Sequence, residues 1–165
     1  MFPSQDCFVT KNQNRNENNN SQSSKIIGWR EFVSLPQLKV DRIKAKIDTG
    51  ARSSALHAFN IQHLQLEGKS IVRFQIHPRQ RDNQTVITAE AELLEYRKIR
   101  NSGGIAQSRP VIKTEVKLGG QIWSIELSLT DRDVMGFRML LGRQAVRNKF
   151  LVDSGKSFRQ SRRKP

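Results

Sequence analysis

Between residues 112 and 129 apolar and polar side chains change places at nearly every step. Ile112, Thr114, Val116 and Leu118 alternate with Lys113, Glu115 and Lys117. After Gly119-Gly120, Trp123, Ile125, Leu127 and Leu129 alternate with Ser124, Glu126, Ser128 and Thr130. A period of two puts one set on each face of a pleated strand, and a helix cannot use it. Two glycines between two such runs make a tight hairpin turn. The same period returns in Val72, Phe74 and Ile76, and again in Ile43, Ala45 and Ile47.

The rest of the chain fits around these runs. Ile26, Ile27, Trp29, Phe32, Val33 and Leu35 form a packed opening segment closed by Pro36. Residues 40–47 and 54–61 read as strands, Gly68 as a turn and 78–83 as a hairpin connection. A strand from Thr85 runs through Ala89, Ala91 and Leu93 towards Ile99, although 89–97 also has the composition of a helix. Residues 101–105 form a loop tip. Met139, Leu140, Leu141 and Gly142 make a short buried run, 143–149 a helix and 150–152 a closing strand. Many short strands and one late helix predict an all-β, closed barrel.

Composition sets the limits of the domain. Only 36% of the 165 residues are hydrophobic, and the shortfall lies at the ends. Residues 1–24, rich in Asn, Gln and Ser, cannot bury enough surface to offset ordering, so they read as a disordered arm. The domain is expected over 25–158, with a basic tail at 159–165. No segment has the apolar length of a membrane span, and the N-terminus lacks a signal pattern. With Cys7 as the single cysteine, a reducing cytoplasm is the expected compartment. A net charge of +14 draws the chain towards something acidic: nucleic acid, anionic lipid or acidic polypeptide. Nucleic acid has no motif behind it, because along the chain Phe residues are not interleaved with basic ones.

The strand at 43–47 runs straight into Asp48-Thr49-Gly50-Ala51. An acid there sits where apolar walls meet a bend, and glycine lets the backbone turn so that its N–H approaches the carboxylate. An ordinary Asp/Gly turn would look the same. Two further features follow in order: Gly103-Gly104-Ile105 at a hairpin tip, and Leu140-Leu141-Gly142-Arg143 before a helix. This order resembles the retropepsins, single-lobe aspartic proteases with a catalytic turn, a Gly-rich flap and a hydrophobic-hydrophobic-Gly-Arg stretch. More closely, the blocks at 28–31, 44–52, 54–58 and 136–143 resemble a bacterial family labelled ATP-dependent zinc protease and regarded as retropepsin-like. The resemblance covers residues 26–158.

It implies an aspartic endopeptidase with Asp48, Thr49 and Gly50 as the catalytic turn. Ala51, Arg52, Gly103, Gly104 and Arg143 would face the substrate. With one credible Asp-Thr-Gly per chain, the second carboxylate must come from another copy, so a homodimer is implied. Thr49 would brace the paired loops, Gly50 would offer backbone donors, and the 103–104 loop would close over the peptide. Arg52 departs from the retropepsin pattern, which has an aspartate there to pair with the counterpart of Arg143. Arg143 then needs another partner, with Asp131 and Asp133 as candidates. An arginine lining the cleft favours acidic peptides, and a solvated arginine on the dimer rim is the plainer alternative. The long spacing from Asp48 to Gly103 leaves 78–83 as a competing flap.

Neither zinc nor ATP is written in the residues, and no cofactor is expected. His57, His63 and His77 are the only histidines, without a His-Glu-x-x-His pattern. Gly68-Lys69-Ser70 and Gly155-Lys156-Ser157 lack the earlier glycine of a phosphate loop. Asp153-Ser154-Gly155 mimics a second catalytic turn, but too few residues follow it for another lobe. It reads as a turn.

Overall fold

The computed structural model describes residues 25–100, 103–131 and 136–161. The arm at 1–24 with Cys7, the loop residues Asn101 and Ser102, Asp133, and the tail residues 162–165 lie outside the described residues. The chain runs β1 (Lys25–Gly28), β2 (Arg30–Leu35), a 3-10 turn (Pro36–Leu38), β3 (Val40–Asp48), β4 (Ser54–His57), β5 (Phe59–Leu66) and β6 (Lys69–Ile76). It continues through β7 (Ile87–Arg100), β8 (Ala106–Leu118), β9 (Gln121–Thr130), β10 (Met139–Gly142), α1 (Arg143–Val146) and β11 (Phe150–Asp153). The protein is nearly all β, as its two-residue periodicity predicts.

One sheet takes the order β2-β3-β10-β4-β9-β8-β7-β6-β5, and β2 also meets β8 at Ser34 and Lys117. The strands from β2 round to β8 therefore return on themselves as a ring, while β7, β6 and β5 extend outward from β8. The Ser34–Lys117 pair closes the ring, in keeping with the all-β fold expected. β1 and β11 form a separate parallel ribbon, Lys25 opposite Phe150 and Gly28 opposite Asp153. Alternation delivers the core: Ile112, Val116 and Leu118 from β8, Val72, Phe74 and Ile76 from β6, and Ile43, Ala45 and Ile47 from β3 are all buried. Truncating Phe74, with no exposed surface, would cost about 3–5 kcal/mol.

Several local expectations change once neighbours are present. Residues 87–100 are strand throughout, laddered to β6 on one side and β8 on the other; sheet partners override the helical composition of 89–97. The 54–61 segment is two strands, parted at Ala58, and inside the second Asn60 takes a left-handed backbone, φ 49°, where the register against β6 shifts. The helix ends at Val146, not Lys149: Arg147 is extended, with ψ 142°, and Asn148 is left-handed at φ 62°. The Gly119-Gly120 turn is as expected, with φ 57° and 78° matching the twist of a hairpin.

The domain also runs past residue 158. Glu31, fully buried, accepts the backbone N–H groups of Gly28 (2.7 Å), Arg159 (2.8 Å) and Ser161 (3.0 Å), and the Ser161 hydroxyl. Residues 159–161, read above as the start of the basic tail, are therefore bound by a buried carboxylate. Gly28 is required beside it, because a Cβ there would collide with the Lys156 carbonyl. Asp153 is the turn residue expected, its Oδ1 accepting the Gly155 N–H at 3.0 Å.

Candidate active site

β10 is wedged between β3 and β4, parallel to the first and antiparallel to the second. The strands it separates are the two that flank the Asp48 turn, and Gly142 lies directly opposite Asp48. A Cβ on Gly142 would run into the Ser53 carbonyl, so this close approach needs glycine. From Gly142 onward the chain clamps the turn. The Gly142 N–H donates to Ser54 Oγ (3.1 Å), the Arg143 N–H to the Ala51 carbonyl (2.8 Å) and the Gln144 N–H to the Arg52 carbonyl (3.1 Å). The first amides of a helix have no partner within it; here they hold the acidic turn. The Ser54 carbonyl in turn accepts the Ser128 hydroxyl at 3.0 Å.

Inside the turn, Asp48 Oδ1 accepts the Ala51 N–H at 3.1 Å. The bonded donor is thus Ala51, one residue beyond the glycine that the sequence suggested. A Cβ at Gly50 would meet only Asp48 Oδ1, at the ordinary contact distance of 3.4 Å. Asp48 is half-buried, and Thr49, Gly50, Arg52 and Arg143 are exposed around it. Arg143 does not pair with Asp131. Its Nη1 donates to the Thr49 carbonyl (3.0 Å), fixing the turn through its backbone, and Asp133 lies outside the described residues. Asp131 instead approaches the buried His57, Nδ1 to Oδ1 4.0 Å.

The structure thus gathers Asp48, Thr49, Gly50, Ala51, Arg52 and Arg143 at one exposed turn. Gly103 and Gly104 sit at the exposed tip joining β7 and β8, with Gly104 left-handed at φ 79°. Among the described residues no hydrogen bond joins them to the turn. The competing loop at 78–83 is tied down: Arg138, buried, donates from Nη1 to the carbonyls of Asp82 (2.8 Å) and His77 (3.3 Å), and from Nη2 to Asn83 Oδ1. Sequence reasoning missed Arg138, Ser54 and Glu31. All three stood in the blocks that carried the resemblance, yet their partners are far away along the chain.

Asp82 closes that loop. The Thr85 hydroxyl (2.7 Å), then the Thr85 N–H (3.1 Å) and the Gln84 N–H (2.9 Å), hold its carboxyl at about 2, down from 3.8. A depressed folded value means the contribution is whole above the ordinary range and disappears as pH falls towards about 2. Protection of the Gln84 and Thr85 amides, relative to their intrinsic exchange at each pH, should therefore fall between those limits before that of the core strands does. Equal protection in the loop at both ends of that window would remove Asp82 as its fastener.

Among the described residues no metal cluster is formed either. His77 donates from Nδ1 to the Thr85 carbonyl (3.1 Å), and His63 meets the edge of Tyr96. Among the described residues no three His, Cys, Asp or Glu side chains gather as a metal would require, so these residues do not fit the zinc of the family label. No helix among them is long and apolar enough to cross a membrane.

A family model described as RimB-like, the retropepsin-like aspartic endopeptidase RimB, matches residues 26–163. The chain belongs to this RimB-like family. Its curated relatives carry another name. Proteins called "Probable alpha-L-glutamate ligase" are 44% identical over 131 residues in Desulfotalea psychrophila, 44% over 138 in Shewanella pealeana and 48% over 128 in Parasynechococcus marenigrum. The matches take in 79%, 84% and 78% of this chain but 28%, 30% and 28% of those proteins. This RimB-like chain thus spans under a third of the curated relatives it matches. A Legionella pneumophila crystal structure of unknown function (Lpg0085, DUF785) shares the fold at a TM-score of 0.70 and 29% identity. That alignment covers 84% of this chain and 99% of the other.

Proposed function

We propose that the chain is an aspartic endopeptidase that works as a symmetric pair in a reducing cytoplasm and cuts glutamate-rich polypeptide. The observation that carries the reading is the clamped turn: a half-buried Asp48 bonded to the Ala51 N–H and held from behind by Gly142, Arg143 and Gln144. So much bracing of an exposed turn is unusual for a surface loop, and it suits an acid whose position must be shared with a twin. Two carboxylates in contact hold one proton between them and titrate as a unit. One takes a proton from water as its oxygen attacks the peptide carbonyl, and the other protonates the carbonyl oxygen. Collapse of the adduct breaks the C–N bond, and the amine leaves with a proton. Thr49 and Gly50 meet their copies at the junction, and the 103–104 hairpin closes over the peptide.

The substrate class draws on two independent supports. The relatives named glutamate ligases contain this region beside a much longer remainder, and a ligase and a peptidase for the same bonds suit one polypeptide. The chain's charge of +14 and the exposed Arg52 beside the acid favour carboxylates. Arg52→Asp is expected to lower the preference for acidic over neutral peptides about tenfold, read as a ratio of kcat/KM values. An unchanged ratio would remove Arg52 from substrate selection. The ligase name also favours a second reading, in which the domain holds acidic chains for the ligase without cutting them. Substitution of Asp48, discussed below, separates the two.

A further inference from the structure

Along the chain Phe residues are not interleaved with basic ones; on the folded surface rings and cations come together. The Arg30 guanidinium lies 4.5 Å from the Trp29 ring centre and 5.3 Å from that of Phe158. Arg42 sits 3.7 Å over Phe32, and Lys44 5.0 Å over Phe137. The rings touch each other too, Phe32 stacked on Phe158 at 4.9 Å and Trp29 edge-on to Phe137 at 5.7 Å. Beside this band, a cleft of about 630 Å³ opens between the outer side of β2 and β3 and the loop after β6. Its lining includes Phe32, four cations (Lys39, Arg42, Lys44 and Arg79) and one acid, Asp41. None of the residues around Asp48 belongs to it.

We propose that this cleft is an exosite that holds a carboxylate-rich stretch of polypeptide at a distance from the cleaved bond, a proposal that rests on the peptidase reading above. Cations seated over aromatic rings are already ordered, so less side-chain freedom is lost when a polyanion binds. Cations also cover ring faces in this band, leaving little bare aromatic surface for nucleobases to stack on. That favours carboxylates over RNA. Along β3, Arg42 and Lys44 stand six and four residues before Asp48, roughly 20 and 13 Å at strand rise. A substrate must be longer than the few residues in the active site to reach both, so the site selects acidic chains and not short acidic peptides.

Binding to the full chain carrying Asp48→Asn, which removes turnover, tests this with two probes: an oligoglutamate of about twelve residues, and one of about three, too short to span. Arg42→Gln with Lys44→Gln should weaken the long probe about tenfold and the short one hardly at all. Arg79→Gln, at an exposed loop position outside the stacked band, should weaken the long probe about threefold without disturbing the fold. Unchanged affinity for the long probe in both variants overturns the exosite, as does an equal loss for both probes. Displacement of the long probe by a single-stranded RNA oligomer at lower concentration than the peptide itself requires also overturns it, in favour of a nucleic-acid surface. If the unsubstituted protein cuts nothing but this binding pattern appears, the exosite stands and the peptidase reading falls.

Discussion

Asp48→Asn is expected to lower peptide hydrolysis by about 10³-fold or more while the protein stays folded. The amide keeps an oxygen where Asp48 Oδ1 accepts the Ala51 N–H, so the turn retains its shape. What disappears is the ability to pass a proton. Because each chain supplies one such acid under the proposed pairing, the substitution removes both members of the dyad at once. The check is product formation from a long glutamate-rich peptide by mass spectrometry, alongside binding of the same peptide. Loss of cleavage with retained binding is the expected pair of results. Activity within tenfold of the unsubstituted protein would exclude Asp48 as a catalytic acid. If neither protein cleaves and both bind, the domain is a holding module for the ligase-named proteins it resembles.

The second large effect concerns stability. Glu31→Ala should cost about 3–5 kcal/mol, lowering the melting temperature by roughly 10 °C for a domain of this size. The carboxylate is fully buried and gathers donors from Gly28, Arg159 and Ser161. Hydrogen bonds to a charged acceptor are stronger than neutral ones, and orphaned buried donors are penalised further. The last described residues should then come free, taking Phe158 away from Phe32 and Arg30. Limited proteolysis would show new cuts within 157–161, and denaturant unfolding would show the lost stability. A variant within 1 kcal/mol of the parent, with no new cut, contradicts the role assigned to Glu31. The same loosening should carry to the aromatic–cationic band, since Phe158 is one of its rings.

Much of the fold was legible because its signals are local. Strand alternation names the buried face whatever the partner, so Phe74, Ile112 and Leu127 were assignable before any neighbour was known. Gly119-Gly120 specified its own turn, since glycine accepts left-handed backbone freely. The Asp48 turn was visible for the same reason: strand, acid and glycine are contiguous. Where the local signal was ambiguous, as at 89–97, flanking strands decided it.

Pairing partners are a different kind of information. Nothing in Met139-Leu140-Leu141-Gly142 says that it slips between β3 and β4, and that wedge is what positions Asp48. Arg143 looked for a carboxylate in the sequence and found the Thr49 carbonyl in the fold, because β10 delivers it to the turn. Glu31 and Ser161 stand 130 residues apart, so residues 159–161, which read as the start of a basic tail, are in fact captured. The seating of Arg30 on Phe158, of Arg42 on Phe32 and of Lys44 on Phe137 likewise exists only where separate segments meet. By itself the sequence determined which residues face inward and where the acidic turn lies, because both follow from neighbours along the backbone. Only the tertiary structure decided what holds that turn and what shares its surface, because those contacts join segments whose separation no local pattern encodes.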